Sequence, residues 1–426
     1  MKIVLLNPDT KTRYPQPPLG LLAVGTVLRE MGHDVKLLDL NAYRAPLAEF
    51  AHLFRSTDII GLTAMSLGYR EAVKIATEIR HQLPNKYIVL GGVQATTASI
   101  PSLSKGVFNA VVVGEGEQPD VLLDILGYRE GIIKSRNKHR VSLDDLPILD
   151  YSLLADYNYK AMPPHGMHGK LMPMLTSRGC PYHCSFCSNM VFGNIYRTQS
   201  PERIIREVQH LKSIGVKEVA FYDDLFTIKE KRAYKLMELL TPLGIKWTCQ
   251  TRVNLVTLDL LRAMKKAGCT AIAYGLESAS PEILKELSKD ITIEQSEEAV
   301  ALTKHAGIKV IAYFMIGSPN ETHDTIKKTI DWAGKLNPDY AQFSITTALP
   351  GSDLWSSRQF DSYAMGGIGN GLCELTGREL TNAVAQAYRR FYISPQYIWR
   401  QVVRSLASWV EFRGTIAGLK LFVGGQ

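Results

Sequence analysis

Cys180, Cys184 and Cys187 stand within eleven residues, from Ser177 to Cys187, in the spacing C-x3-C-x2-C. Three thiolates on one short loop can hold three irons of a 4Fe–4S cluster. Such a cluster ordinarily takes four cysteines, so this set leaves one iron open to bind a substrate or cofactor directly. The alternative is a structural zinc site, which prefers four ligands, usually in two pairs. His183 could be the fourth, but it lies between two of the cysteines and could not easily swing back.

The rest of the chain bounds what can surround such a loop. Its 426 residues suffice for two or three domains at about 150 residues each. Apolar content and charge are those of a globular chain. Cys249, Cys269 and Cys373 are scattered and no cysteine precedes Cys180, which is no disulfide framework; an exposed cluster calls for a reducing compartment. The first residues are too short for a signal h-region and no apolar run is long enough to span a bilayer, so a cytoplasmic protein without a transmembrane segment is expected. Net charge is +8, but Lys and Arg are dispersed without interleaved aromatics, which speaks against nucleic acid.

Up to residue 130, short β-branched runs alternate with amphipathic stretches. Strands are expected at 2–6, 35–38, 58–62, 87–90 and 110–113, and helices include 20–31 and 69–82. Five such units predict a parallel sheet covered on both faces, whose ligand would lie beyond the carboxyl ends of the strands. The loops at those ends carry Pro17 and Leu19 after strand one, Met65, Ser66 and Leu67 after strand three, Gly91, Gly92, Val93, Gln94 and Thr96 after strand four, and Gly114, Glu115, Gly116 and Glu117 after strand five. Glycines there let backbone approach a large ligand closely. No G-x-G-x-x-G follows strand one, so a dinucleotide site is poorly supported.

From residue 171 strand and helix alternate again. Strands are expected at 172–176, 218–222, 246–250, 271–274, 309–315 and 341–345, with helices at 201–213, 229–240, 258–267, 281–287, 293–305 and 322–336. Six such units predict a partial barrel with its chemistry at the carboxyl ends of the strands. The cysteine loop follows the first strand. The other ends carry Tyr222, Asp223 and Asp224; Arg252; Glu277; Met315 and Gly317. The expected layout is a first domain over 1–135, a linker over 136–170, a barrel over 171–355 and a helical region over 356–426. The end of the linker, 162–174, is a candidate loop over the site. In the tail, Thr376 and Glu379 form a capping box. Helices are expected at 383–391 and 395–406, and onward through 411–421. Tyr388, Phe391, Tyr392, Tyr397 and Trp399 are expected to pack on the barrel, with a wall of the substrate cavity as the alternative. Arg400, Arg404, Arg413 and Lys420 make the end basic, which leaves a membrane or a larger complex open as a partner.

In their order, these loops resemble the cobalamin-binding domain found in front of many radical S-adenosylmethionine (SAM) enzymes, and the cysteine loop with its barrel resembles the radical SAM signature and fold. The resemblance implies an α/β protein: a Rossmann-like cobalamin-binding domain, a partial (β/α)6 radical SAM barrel and a small C-terminal helical region. It implies a 4Fe–4S cluster on Cys180, Cys184 and Cys187 whose open iron chelates SAM. Tyr222, Asp223 and Asp224 would stand where the family's Gly-Gly-Glu segment binds the SAM amino group. Arg252 would pair with the SAM carboxylate, Glu277 with the ribose, and Phe186, Met315 and Gly317 would lie along the adenine. The Asp-x-His-x-x-Gly motif of methionine-synthase-type domains is absent and the first histidine is His33. Met65, Ser66 and Leu67 would therefore meet the lower face of cobalamin. The activity implied is methyl transfer from SAM, by way of cobalamin, to an unactivated carbon of a natural product, lipid, tetrapyrrole or peptide, fed by a reductant such as flavodoxin or ferredoxin. The alternative is an oxidoreductase resembling the anaerobic porphyrin-ester cyclase. A binding or sensor module is a third reading, against which the intact cysteine loop stands.

Overall fold

The computed structural model describes residues 1–137, 141–159, 161, 163–356, 371–408 and 412. The first sheet consists of β1 (Lys2–Asn7), β2 (Asp34–Asp39), β3 (Ile59–Thr63), β4 (Tyr87–Gly91), β5 (Ala110–Val113) and β6 (Gly131–Lys134). All pair in parallel, in the order β2-β1-β3-β4-β5-β6. Successive side chains point to opposite faces: Ile3 and Leu5 enter one core, Val4 and Leu6 the other. Covering both faces is what makes these strands near-continuous apolar runs. β6 lies where the sequence suggested irregular chain; it is a four-residue edge strand with only Ile133 fully buried.

The second sheet contains β7 (Leu171–Met174), then, after the short ribbon β8 (Ser177–Arg178) and β9 (Arg197–Thr198), β10 (Glu218–Phe221), β11 (Lys246–Thr251), β12 (Cys269–Glu277), β13 (Lys309–Ile316) and β14 (Tyr340–Ile345). The long strands pair in parallel in the order β7-β10-β11-β12-β13-β14, each beside its successor in the chain, as a partial barrel requires. The helices between them start at caps of known type: Ser200 and Thr257 accept the third N–H, and Thr292 and Thr322 complete capping boxes.

The segment expected to be a plain linker is a wedge between the two sheets. Tyr151, Leu153 and Leu154 are buried in a core that continues from β1 and β2 to the Pro201–Ser213 helix. Gly25 accommodates it, since a Cβ there would come within 2.9 Å of Leu153. Asp150 binds Arg29 at 2.7 Å, and Tyr151 donates to Glu207 at 3.0 Å. The chain from 163 to 170 covers the amino ends of the strands, opposite the cysteine loop, so it is not a loop over the site. Glu218, the first residue of β10, accepts from the Gly166 and His168 N–H groups, and His165 meets Thr248 at 3.0 Å. Burial lowers the His165 pKa to about 4.

The Gly377–Tyr392 helix covers the outer edge of β14. The Tyr392 hydroxyl accepts from the Ala341 N–H at 3.0 Å and donates to its carbonyl at 2.8 Å; the Tyr388 hydroxyl accepts from Phe343 N–H at 3.2 Å. Edge groups that would otherwise lack partners are thereby satisfied. Tyr388, Phe391, Tyr392 and Tyr397 form one aromatic stack on Phe343, whereas Trp399 stands outside it. The helix expected at 411–421 falls almost wholly outside the described residues.

Leu153→Ala is expected to cost about 2–5 kcal/mol, as for other buried leucines, and to open the junction between the sheets to protease. Chemical unfolding and limited proteolysis read both; a loss under 1 kcal/mol with an unchanged digestion pattern contradicts the wedge.

Candidate functional site

The cysteine loop leaves the carboxyl end of β7 and is fixed at both ends. Asp223, after β10, is fully buried and accepts from the Thr176 N–H at 2.6 Å, from the Ser177 hydroxyl at 2.7 Å and from the Thr176 hydroxyl. Arg232 donates to the Thr176 carbonyl at 3.0 Å. Gly179 has φ +85, and a Cβ there would collide with the Ile195 and Gly193 carbonyls, so the turn into Cys180 admits only glycine. Further on, Ser185 N–H donates to Leu287 and its carbonyl accepts from Leu354 N–H, at 3.0 and 2.9 Å.

Cys180, Cys184 and Cys187 are free thiols. Asp224 and Cys187 are reached by solvent and yet closely surrounded by protein, as groups lining a recess are. Burial raises the Cys187 thiol to about 11, and Asp224 adds to it; burial also raises Cys180. Iron would displace those protons on binding. Among the described residues no three His, Cys, Asp or Glu side chains converge on a point that suits a single ion. A four-iron cube takes each thiolate on a different iron, and three free thiols on one loop fit that donor set.

Around the thiols, Arg252 lies 3.5 Å from the Cys184 sulfur and 3.8 Å above the Tyr182 ring, held by the carbonyls of Lys289 and Asp290. Glu277, at φ +62 on an irregular step between β12 and β13, accepts from Lys289 at 2.6 Å, and Lys289 sits 5.6 Å above the Phe186 ring. Phe186 and Met315 belong to one apolar group with Ile283, Leu287 and Leu354. At the end of β13, Glu321 accepts from the Gly317 and Ser318 N–H groups at 2.5 and 2.8 Å. Its other carboxylate oxygen is buried without a partner, and burial raises its pKa to about 7.

Two expected SAM contacts face elsewhere. Both Asp223 oxygens are turned to Thr176 and Ser177, away from the recess. The Tyr222 hydroxyl crosses to the first sheet's loop and donates to Gln16 at 3.0 Å. Of those three residues, Asp224 alone opens toward the thiols.

Glu115 and Glu117, expected at a ligand, are buried between the two sheets. Arg178 bonds Glu115 at 2.5 Å and also Glu117, and Arg197 bonds Glu115. Burial works against the Arg178 charge, but Glu117 and Glu115 outweigh it and raise its pKa. The loop after β5 is thereby tied to the β8–β9 ribbon, two residues before Cys180. The sequence contains a signal for this, an arginine beside the first cysteine and two glutamates separated by glycine, but nothing in it pairs them. Lys289 and Glu321 were likewise missed.

The remaining first-sheet loops form an open surface. Met65 and Leu67 are 65% and 66% exposed, and Val93 projects beside them. Pro17 leads into the helix that begins at Leu19. Gly92, at φ +90, could carry no Cβ without striking Thr63 and Ala64, while nothing lies within 4 Å of a Cβ at Gly114. Thr96 spans the two loops, accepting from Gly114 N–H at 3.0 Å. The Gln94 carboxamide oxygen is buried without a partner. Exposed apolar tips, bare glycine backbone and a buried unused acceptor fit a large, flat, amide-edged ring such as a corrin. His33 lies at the amino end of the sheet, beside the Met1 amine, and is no ligand there.

Arg178→Met would leave Glu117 buried without its cation and is expected to cost about 3–5 kcal/mol; adding Glu117→Gln should recover part of the loss in chemical unfolding. Glu321 has a folded pKa above its unfolded value. Its contribution is therefore complete below pH 4.5 and is lost as pH rises through about 7, a change of about 3 kcal/mol. Glu321→Gln should flatten that slope, and parallel stability–pH curves for the two proteins would contradict it.

The chain matches the Radical SAM superfamily over residues 174–333 and the B12 binding domain over residues 9–124. It is 33% identical to an uncharacterized methyltransferase, PH0819, of Pyrococcus horikoshii, covering 94% of this chain and 95% of that one. It is 28% identical to the anaerobic magnesium-protoporphyrin IX monomethyl ester cyclase of Cereibacter sphaeroides, over 94% and 72%. Among solved structures, the radical SAM methyltransferase TsrM of Kitasatospora setae, with tryptophan and a SAM analogue bound, superposes with a TM-score of 0.68 at 20% identity, over 83% of this chain and 74% of that one. With both domains matched in this order and a full-length relative at that identity, the chain belongs to the radical SAM superfamily, in the group that carries a B12 binding domain, and its cofactors are a 4Fe–4S cluster, SAM and cobalamin.

Proposed function

We propose that the chain is a cobalamin-dependent radical SAM methyltransferase acting on an unactivated carbon. One observation carries the reading: the cysteine loop and the open surface of the first sheet are bound to each other, through Arg178 with Glu115 and Glu117 and through Tyr222 with Gln16, so that a substrate between them would meet both cofactors. When bound, those cofactors supply the radical and the methyl group in transit.

The protein's own residues bind and orient. Cys180, Cys184 and Cys187 hold the cluster. Asp224 is the carboxylate available to the SAM ammonium, and Arg252, beside Cys184, the cation available to its carboxylate. Phe186, Met315 and the Gly317 turn, stiffened by Glu321, offer an apolar slot for the adenine. Glu277, oriented by its bond to Lys289, is placed to face the ribose. On the other side, Met65, Ser66, Leu67 and Val93 meet the corrin, while Gly91, Gly92, Gln94, Thr96, Gly114 and Gly116 approach it with backbone and amide. The carboxylates of Glu115 and Glu117 hold the junction instead. The domain limits are 1–135, 171–355 and 356–426, with 136–170 as the wedge between.

Radical SAM enzymes need a reductant, and a flavodoxin or ferredoxin in the cytoplasm suits three free thiols. Among the described residues no helix is long and apolar enough to cross a membrane. The cyclase reading draws on the Cereibacter sphaeroides relative, at lower identity.

Anaerobically reconstituted enzyme with SAM and a reductant should form S-adenosylhomocysteine and 5′-deoxyadenosine together, measured by mass spectrometry. 5′-Deoxyadenosine alone favours the cyclase. Cys184→Ala should abolish 5′-deoxyadenosine; persistent cleavage there would overturn the cluster assignment.

A further inference from the structure

The Pro395–Ala407 helix is mounted with its charged side inward. Arg400 donates to the Asn337 carbonyl at 2.9 Å, to the Asn337 side chain at 2.6 Å and to the Pro338 carbonyl at 2.7 Å, and Arg404 bonds Asp339. Tyr397, on the same side, joins the aromatic stack over β14. The opposite side carries Ile398, Trp399, Val402, Val403 and Leu406, all exposed; Trp399 is 71% and Leu406 85% exposed. These positions recur at helical spacing, so they form one stripe. A stripe of this size on an outer helix is not expected of a surface that meets only water.

Next to the stripe, the Gly377–Tyr392 helix presents a shallow depression of about 590 Å³ lined by Asn382, Gln386, Arg389, Arg390 and Ile393. Arg389 and Arg390 are exposed there, and Arg390 also reaches Asp331. Residues 380–412 contain four arginines and a single acid, Glu411. The fourteen residues after Phe412 add Arg413 and Lys420 and no acid.

We propose that this face docks on the surface of an anionic lipid bilayer. The apolar stripe enters the boundary between headgroups and acyl chains, with Trp399 at the depth that indole prefers. Arg389 and Arg390 meet lipid phosphates at the rim. Charge decides the occupant. A second copy joined stripe to stripe would set its own Arg389 and Arg390 against these, like against like, and of the two only Arg390 has an acid, Asp331 of its own chain, beside it. An anionic surface answers all of them at once. The proposal is independent of the methyl acceptor, since it concerns where the enzyme sits.

The test uses the full-length holoenzyme and vesicles of phosphatidylglycerol and phosphatidylcholine in a 1:1 ratio, against phosphatidylcholine alone, read by co-flotation. Binding is expected to the anionic vesicles and to fall at least tenfold in Trp399→Ser/Leu406→Ser. It should fall several-fold in Arg389→Gln/Arg390→Gln and with added salt. Iron content and melting temperature, unchanged in these surface variants, show that they fold. No flotation with anionic vesicles overturns the proposal. So does flotation that the variants do not alter, a dimer in light scattering that Trp399→Ser/Leu406→Ser dissolves, or flotation seen only after residues 413–426 are removed, which would make that segment the cover.

Discussion

Two buried glutamates and two half-buried arginines at the junction of the sheets constrain everything built around them. Glu115 and Glu117 come from the end of β5, Arg178 and Arg197 from the two strands of the ribbon that carries the cysteine loop. Ions taken out of water are costly unless every partner is in place. That cost is what makes the arrangement specific: the first sheet cannot rotate against the second without stranding a charge. The distance between the two cofactor surfaces is therefore set by ion pairs next to the first cysteine, and not by a flexible connection. The Tyr151–Leu154 wedge does the same at the other side of the junction with apolar contacts, which are less directional and fill space where the ion pairs fix orientation.

Asp223 shows how such a site is kept rigid. A carboxylate in a fully buried position survives only if its oxygens are bonded, and here all of its bonds go to the two residues that launch the cysteine loop. Asp224, one residue on, points the other way into the recess. Adjacent acids thus divide the work, one holding the loop and one left to meet a ligand. The same division separates Glu321, which stiffens the Gly317 turn, from the surface that turn presents.

Much of this was legible in the chain. The long strands of both sheets and the order of the loops follow from apolar runs long enough to be read. β6 was not, because an edge strand of four residues with alternating burial has too little pattern. The wedge was not, because Tyr151, Leu153 and Leu154 are too few to show a period. The site was legible as a set of strand ends and illegible as a set of directions. Which of Tyr222, Asp223 and Asp224 faces the recess depends on the rotation of the chain leaving β10, and Glu115 and Glu117 look like ligand-loop residues until their partners sixty and more residues away are known.

The tail illustrates the limit most sharply. An amphipathic helix shows in its sequence that it has two unlike faces; which one faces inward is decided by the surface that receives it. Here the receiving surface is the turn that ends the His323–Leu336 helix, where the carbonyl of the C-cap Asn337 has no intrahelical donor and the Pro338 carbonyl follows it. Arginine forks satisfy them better than any apolar side chain could, and Asp339 adds a charge to match Arg404. Once Arg400 and Arg404 are spent there, the apolar stripe has no inward position to take, and it is carried on the outside.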